Sequence, residues 1–254
     1  LLGQIAVHDY DAASNYLIIK EIAEFNFENL FHHLSPSFYL LHVPIYLIFK
    51  NCLNPDFLNL EYFNALLNLL SFYALMYFFG KELGLGKYSQ LLFILFGGSS
   101  TFMIYSSRCI SISNLSLLLF VIFLGLYYKS FTQKKYWFWA MFLFTLTFTV
   151  NYKVLLFVPI LICIELIQKN RKLTFKDWFL LPFFLGLNVI LYSVLAYFLD
   201  SNLGLNYLGK IYSMFFIMSG DYVSPAIVSI NYLYYVKYLF YYENILIIPS
   251  IVLF

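Results

Sequence analysis

Charged side chains are scarce in this 254-residue sequence, because Asp, Glu, Lys and Arg together make up 11% of it. Soluble domains contain about 25% of these residues, and a soluble fold cannot hide so much apolar surface from water. The scarcity excludes an ordinary water-soluble domain. The formal net charge of +2 is also too small to indicate a nucleic-acid partner, and we expect none.

Cysteines are few as well, and their positions do not suggest a metal site. Cys52, Cys109 and Cys163 share no metal-ligand spacing, so we expect all three to pack in the interior. No glycine-rich loop follows a predicted strand, which leaves nucleotide hydrolysis without support. The sequence begins at Leu1 and stops within an apolar run, so we expect it to be part of a longer protein.

Long apolar runs make up most of the sequence, which is 62% hydrophobic and 22% aromatic. About 20 apolar residues are needed for a helix to cross the hydrocarbon layer of a membrane. Residues 12–31 instead have an amphipathic pattern, and the apolar run 37–49 is too short to cross, so both are predicted surface helices. The candidate spans are 61–80, 88–105, 111–128, 136–151, 152–168 and 178–199. The fold class is therefore an all-α polytopic membrane protein.

Basic residues concentrate in three loops, at 81–87, 129–135 and 169–176. Two candidate spans separate each neighbouring pair of loops, so all three share one face, which the positive-inside rule makes cytoplasmic. The predicted organisation then has four parts along the chain. These are an outside block 1–60 with two surface helices, a transmembrane bundle 61–199 of about six spans, a second outside region 200–243, and the start of another span at 244–254.

The first outside block contains two aspartates separated by one residue. In an extended stretch Asp9 and Asp11 would point the same way, so the two carboxylates could surround one metal ion or one reacting hydroxyl. Carboxylates this close to a membrane are costly and usually functional. The alternative is structural, because Asp11 directly precedes the amphipathic pattern and would cap a helix there.

Other candidate residues lie in the outside turns. The pair His32 and His33 can bind a metal, orient a phosphate or lie among lipid headgroups. Arg108, in a short turn between two spans, suits bidentate phosphate binding, although its side chain could equally extend to the membrane surface. Lys153 has the same two interpretations.

The order of these features resembles the polytopic glycosyltransferases of the C-type (GT-C) fold, such as protein O-mannosyltransferases and the aminoarabinose transferases of lipid A. That family has an acidic motif before a juxtamembrane helix, a basic and proline-containing turn, a cytoplasmic glycine-basic turn and an outside turn with a final arginine. The matching segments are His8-Asp9-Tyr10-Asp11, His33-Leu34-Ser35-Pro36-Ser37-Phe38-Tyr39, Gly80-Lys81-Glu82-Leu83 and Tyr105-Ser106-Ser107-Arg108. Here a tyrosine separates the two aspartates, and the second turn has one proline instead of two.

The resemblance implies an enzyme that moves a sugar from a polyprenyl-phosphate donor to a glycan, lipid or protein acceptor, on the non-cytoplasmic face of a bacterial inner (plasma) membrane. Asp9 or Asp11 would act as general base or hold a divalent metal ion such as Mg or Mn. His33, Arg108, Lys153 and His32 would bind the substrate.

A transporter or flippase for lipid-linked sugars is the alternative function. Transporters place their polar residues near the middle of the membrane, often in broken helices or internal repeats. The charged residues of this sequence instead gather outside the middles of the spans, which favours the enzyme.

Overall fold

The structure, a computed structural model, describes residues 10–32, 35–52, 57–81, 83–98, 109–167 and 174–209. Within these ranges the chain is helical, with no strand. The helices are α1 Tyr10–Ala23, α2 Pro36–Cys52, α3 Phe57–Phe79, α4 Lys87–Gly98, α5 Ile112–Lys129, α6 Lys135–Val150, a 3-10 helix Tyr152–Phe157, α7 Val158–Ile167 and α8 Phe175–Leu203.

Three of the described helices are long and apolar enough to cross a membrane: Asn59–Phe79 within α3, Ile112–Lys129 and Phe175–Leu203. A helix also overlaps each of the other three predicted spans within the described residues. α4 is described over 12 residues and α6 over 16. The predicted span 152–168 is wrong as one continuous α-helix, because its first six residues form the 3-10 helix. Pro159, in the first turn of α7, has no N–H to continue an α-helix from the preceding turn.

The amphipathic pattern of the first block is correct, but its predicted length is wrong. Ala12 and Ile19 are buried in the core, whereas Lys20 is exposed, as the pattern predicts. The helix ends at Ala23 instead of continuing to residue 31. Phe25 adopts a left-handed conformation with φ of 64°, and the N–H of Asn26 donates to the carbonyl of Glu21, which together terminate a helix.

α2 covers the predicted short helix 37–49 and buries one of its faces. Phe38, Tyr39, His42 and Tyr46 on that face are almost completely buried, and α2 packs against α1, α3 and α6. Its 17 residues rise about 25 Å, which is short for a span. Its predicted position along the membrane surface stays a prediction.

Two apolar clusters form the core. One joins α1 and α2 to the beginning of α5 and the end of α8. The other joins α5, α6, α7 and the first half of α8 through aromatic rings such as Phe123, Trp137 and Phe144. Cys109 belongs to the first cluster, but Cys52 and Cys163 are exposed, so the prediction that all three cysteines are packed within the chain is wrong for these two.

α8 is attached to the bundle at its beginning and beyond its midpoint. At its beginning, Asp177 accepts hydrogen bonds from Thr174 and forms an ion pair with Lys134, with 2.6 Å between Nζ and Oδ2. The indole of Trp137 also donates to the carbonyl of Asp177 at 2.7 Å. Beyond its midpoint, Tyr192 hydrogen-bonds to the hydroxyl of Ser37 in α2. Most of the surface of α8 is exposed, and its buried residues are Phe184, Ala196 and Leu199.

Candidate functional site at the polar end of the bundle

The contacts between helices define two ends of the bundle. At one end, Lys129 Nζ lies 4.8 Å from the ring centroid of Tyr77, and Tyr127 donates to Glu165 at 2.7 Å. The ends of α3, α5 and α7 therefore meet the beginnings of α6 and α8 there. This is the basic end, and its described lysines are Lys81, Lys87, Lys129, Lys134, Lys135 and Lys176.

The opposite end, which we call the polar end, is formed by α1, α2, residues 109–111, residues 149–153 and residues 200–208. Asn15 Nδ2 in α1 donates to the carbonyl of Ile110 at 2.8 Å. Ser37 in α2 is hydrogen-bonded to Thr149 at the end of α6, with 2.8 Å between the hydroxyl oxygens. The ring of Phe31 packs on Tyr207, beyond the end of α8, with 5.2 Å between centroids.

Asp11 is exposed at the polar end and belongs to the first turn of α1. The helix begins at Tyr10, so the interpretation of Asp11 as the residue capping the helix is wrong. Its charge still stabilises the positive end of the helix dipole. Burial raises the pKa of Tyr39 well above its ordinary value, and the negative charge of Asp11 raises it further. Tyr39 Oη donates to Asn15 Oδ1 at 2.8 Å.

Asp9, His33 and Arg108 lie outside the described residues, whereas Asp11, His32 and Lys153 lie within them. His32 is half-buried in the turn between α1 and α2, where its backbone N–H donates to the carbonyl of Asn29 at 2.9 Å. His32 thus lies in the turn that joins α1, whose first turn contains Asp11, to α2.

Lys153 is exposed in the first turn of the 3-10 helix. The side chain of Asn151 accepts the N–H of Lys153 at 3.2 Å and reaches Ser116 in α5 at 3.4 Å. Ser116 lies in the first turns of α5, which residues 109–111 enter. Lys153 and the segment next to Arg108 therefore belong to the same end of the bundle.

A buried polar chain was missed by sequence reasoning. Asn68 Nδ2 donates to Asn114 Oδ1 at 2.9 Å, and Asn114 Nδ2 donates to Asn64 Oδ1 at 3.2 Å. Asn64 Nδ2 in turn approaches His42 Nε2 at 3.4 Å, and His42 Nδ1 lies 2.8 Å from the carbonyl of Phe38. The four polar side chains are at most 4% exposed.

The sequence does contain a signal for this chain. Polar residues recur along α3 at helical spacing in an otherwise apolar run, and all four are buried: Glu61, Asn64, Asn68 and Ser71. A polar stripe of this kind on an apolar helix indicates a face turned toward other helices.

Asp200 has a structural role at the polar end. Its two carboxylate oxygens accept the backbone N–H groups of Tyr207 and Leu208 at 2.7 and 2.8 Å. Burial raises the pKa of Tyr207 to about 12, and the nearby carboxylates of Glu28, Asp200 and Glu21 contribute to the rise. Tyr207 is therefore a neutral hydrogen-bonding group at physiological pH.

The predicted metal pair cannot be assembled from the described part of the chain, because only Asp11 of the pair lies there. Within that part, no group of three or more His, Cys, Asp and Glu side chains is placed to hold a metal ion. The predicted divalent metal ion, Mg or Mn, stays a prediction, because Asp9 lies outside the described residues.

Comparison with known proteins gives no relative from which a function could be transferred. No protein-family model matches the chain, and no curated protein or solved structure matches it.

Proposed function

We propose that this chain is a membrane-embedded glycosyltransferase of the C-type fold, which transfers a sugar from a polyprenyl-phosphate donor to an acceptor hydroxyl. The reaction takes place at the polar end of the bundle, which faces the non-cytoplasmic side of a bacterial inner membrane. Asp9 or Asp11 is the general base, and Arg108 with Lys153 binds the donor phosphate. His32 and His33 contribute to substrate binding.

The hydrogen bond from Asn15 to the carbonyl of Ile110 is the observation that carries this proposal. Asn15 lies four residues after Asp11, which is about 6 Å along a helix. Arg108 precedes Ile110 by two residues in the sequence. The bond thus connects α1, which contains Asp11, to the segment that follows Arg108.

This pairing of charges suits transfer from a lipid-linked sugar. The carboxylate takes the proton of the acceptor hydroxyl, and the acceptor oxygen forms a bond to the anomeric carbon. The bond between that carbon and the phosphate oxygen breaks, and its electron pair leaves with the polyprenyl phosphate. Arg108 offsets the negative charge that develops there and matches phosphate with a bidentate fork. A single in-line displacement inverts the configuration of the anomeric carbon.

A transporter of lipid-linked sugars is the second candidate, and the buried polar chain favours it. Asn68 lies near the middle of α3, and polar side chains that face the interior of a membrane bundle can mark a substrate path. The buried polar chain consists of three amides and one imidazole, however, and such groups also hold helices together. Substitution of all four residues of the buried polar chain should abolish transport, whereas sugar transfer at the polar end should remain measurable.

The test uses the full-length protein in membranes with a set of polyprenyl-phosphate sugars. Asp9→Asn and Asp11→Asn are compared with Asp177→Asn, a first-turn aspartate at the opposite end of the bundle. Loss of the general base should lower turnover by at least about 10²-fold. The Asp177 variant should keep its turnover. Near-normal turnover in both Asp9 and Asp11 variants would remove the carboxylate assignment and favour the transporter.

A further inference from the structure

The basic end carries two lysines whose ammonium groups lie around one aromatic ring. Lys129 is the last residue of α5, and Lys135 is the first residue of α6. Their Nζ atoms lie 6.0 and 5.2 Å from the ring centroid of Tyr136. Lys129 Nζ also lies 4.8 Å from the ring centroid of Tyr77 and 4.9 Å from that of Phe78. We call these two ammonium groups and three rings the lysine–aromatic cluster.

The positive charge of the lysine–aromatic cluster is held in place without being neutralised. An aromatic ring attracts a cation through its quadrupole and contributes no negative charge. At this end of the bundle Asp177 pairs with Lys134. Among the described residues, neither Lys129 nor Lys135 forms an ion pair with a carboxylate. Each ammonium group therefore keeps N–H donors for an anion from outside the chain.

An exposed apolar face of α3 leads away from the lysine–aromatic cluster. Its side chains recur three or four residues apart and so lie along one side of the helix. They are Tyr77, Tyr73, Leu69 and Leu66, each at least 47% exposed, and we call them the α3 stripe. From Tyr77 to Leu66 the helix rises about 16 Å, whereas one leaflet of the hydrocarbon layer is about 15 Å thick. The α3 stripe therefore matches the length of a lipid acyl chain.

We propose that the lysine–aromatic cluster and the α3 stripe together bind an anionic phospholipid of the surrounding bilayer. The lipid phosphate accepts hydrogen bonds from Lys129 and Lys135, and an acyl chain lies along the α3 stripe. This inference rests on the membrane location in the proposed function, but it does not depend on sugar transfer. The lipid site lies at the opposite end of the bundle from the polar end.

Both parts of this surface are needed to select the ligand. Inorganic phosphate or an acidic peptide would match the ammonium groups but leave the α3 stripe uncovered. A zwitterionic phospholipid would match the α3 stripe, but the cation in its own headgroup offsets the attraction to lysine. An anionic phospholipid combines a net negative headgroup with apolar chains. Each lysine near an anionic lipid surface strengthens binding about fivefold.

Binding of fluorescent phospholipids to the full-length protein in detergent micelles tests the site. The probes are phosphatidylglycerol and phosphatidylcholine that carry the same fluorescent acyl chain. The wild type should bind phosphatidylglycerol at least about fivefold more tightly at low salt. Added salt should reduce this preference, because it screens the charges at the exposed lysines. Equal affinities for the two lipids at low salt would overturn the proposal.

Charge-removing variants locate the site on the basic end. Lys129→Gln and Lys135→Gln should each weaken phosphatidylglycerol binding about fivefold and leave phosphatidylcholine binding unchanged. Lys134→Gln is the matched control, because the charge of Lys134 is already paired with Asp177, and Lys20→Gln removes an exposed charge at the polar end. Each control should change the affinity less than about twofold. An equal loss in either control would overturn the site, and Lys135→Gln, an exposed change, decides the outcome if Lys129→Gln does not fold.

Competition identifies the class of ligand. Unlabelled phosphatidylglycerol should displace the fluorescent lipid, whereas glycerol phosphate and soluble polyglutamate at the same concentration should not. Displacement by either soluble anion would overturn docking along the α3 stripe.

Carbonate washing of membranes separates this inference from the proposed function. Release of the protein would remove the membrane location, and the lipid site with it. Retention in the membranes without a preference for phosphatidylglycerol would overturn the lipid site alone. Absence of sugar transfer by the wild type would remove the proposed transferase, and the lipid titration would still decide whether the lipid site exists.

Discussion

His42 should make the folded protein sensitive to mild acid. The carbonyl of Phe38 can only accept, so the hydrogen of neutral His42 lies on Nδ1 and Nε2 is left as an acceptor facing the amide of Asn64. A second proton would place an N–H on Nε2 against the NH₂ of Asn64. Rotating that amide would set its oxygen against the carbonyl of Leu60, to which Asn64 now donates at 2.9 Å. Protonation therefore cannot be accommodated locally.

The size of the effect follows from the pKa of His42, which lies in α2, outside the predicted spans. Burial lowers this pKa to about 4, whereas an unfolded histidine has a pKa of about 6.5. Between these two values the unfolded state binds more protons than the folded state, so stability falls as the pH falls. The slope approaches about 1.4 kcal/mol per pH unit, and the total loss by pH 4 is about 3 kcal/mol. Above pH 6.5 His42 contributes no pH dependence.

Denaturant unfolding of the detergent-solubilised protein between pH 4 and 7.5 measures this effect. His42→Gln stays neutral throughout the range, and carboxylates that titrate in both proteins cancel in the difference. The free energy of unfolding of the wild type relative to His42→Gln should decrease from pH 6.5 downward. A difference that is flat over this range would refute the argument and would mean that water reaches Nε2 in the folded state.

Two further predictions concern packing in the bundle. Asn68→Ala should destabilise the protein by about 1–3 kcal/mol, because Asn114 Oδ1 loses a buried donor. Asn202→Ala removes an exposed hydrogen bond within α8 and should change stability by less than about 0.5 kcal/mol. Similar values for both variants in chemical denaturation would contradict the buried polar chain. Gly125→Ala should cost about 1–3 kcal/mol, because its Cβ would overlap the ring of Phe78. Gly186→Ala meets no atom within 4 Å, so it should be neutral or stabilising in a thermal melt.

The helices were predictable where long apolar runs were bounded by charged residues. α3, α5 and α8 lie within a few residues of the predicted runs, because about 20 apolar residues determine a helix with little help from tertiary contacts. The end of α1 was not predictable from composition. A phenylalanine in the left-handed conformation ends this helix at Phe25, where glycine would be usual.

The candidate site was predictable only in outline. Counting of spans brought the first block and the turn after α6 to one end, and the contacts of Asn15 and Ser37 agree with that grouping. The buried amides were missed because the polar stripe on α3, which contains Asn64, indicates only a face turned toward other helices. Their pairing depends on how α3 and α5 pack side by side, and periodicity within either helix does not specify that.

The attachments of α8 have a consequence for how the protein would respond to a membrane. The apolar run of this helix, residues 178–199, rises about 33 Å, close to the hydrocarbon layer of about 30 Å. A single helix adjusts to a thinner bilayer by tilting alone. α8 is tied to α6 through Asp177 and to α2 through Tyr192, so it cannot tilt without carrying these neighbours. A thinner bilayer would therefore incline these three helices together.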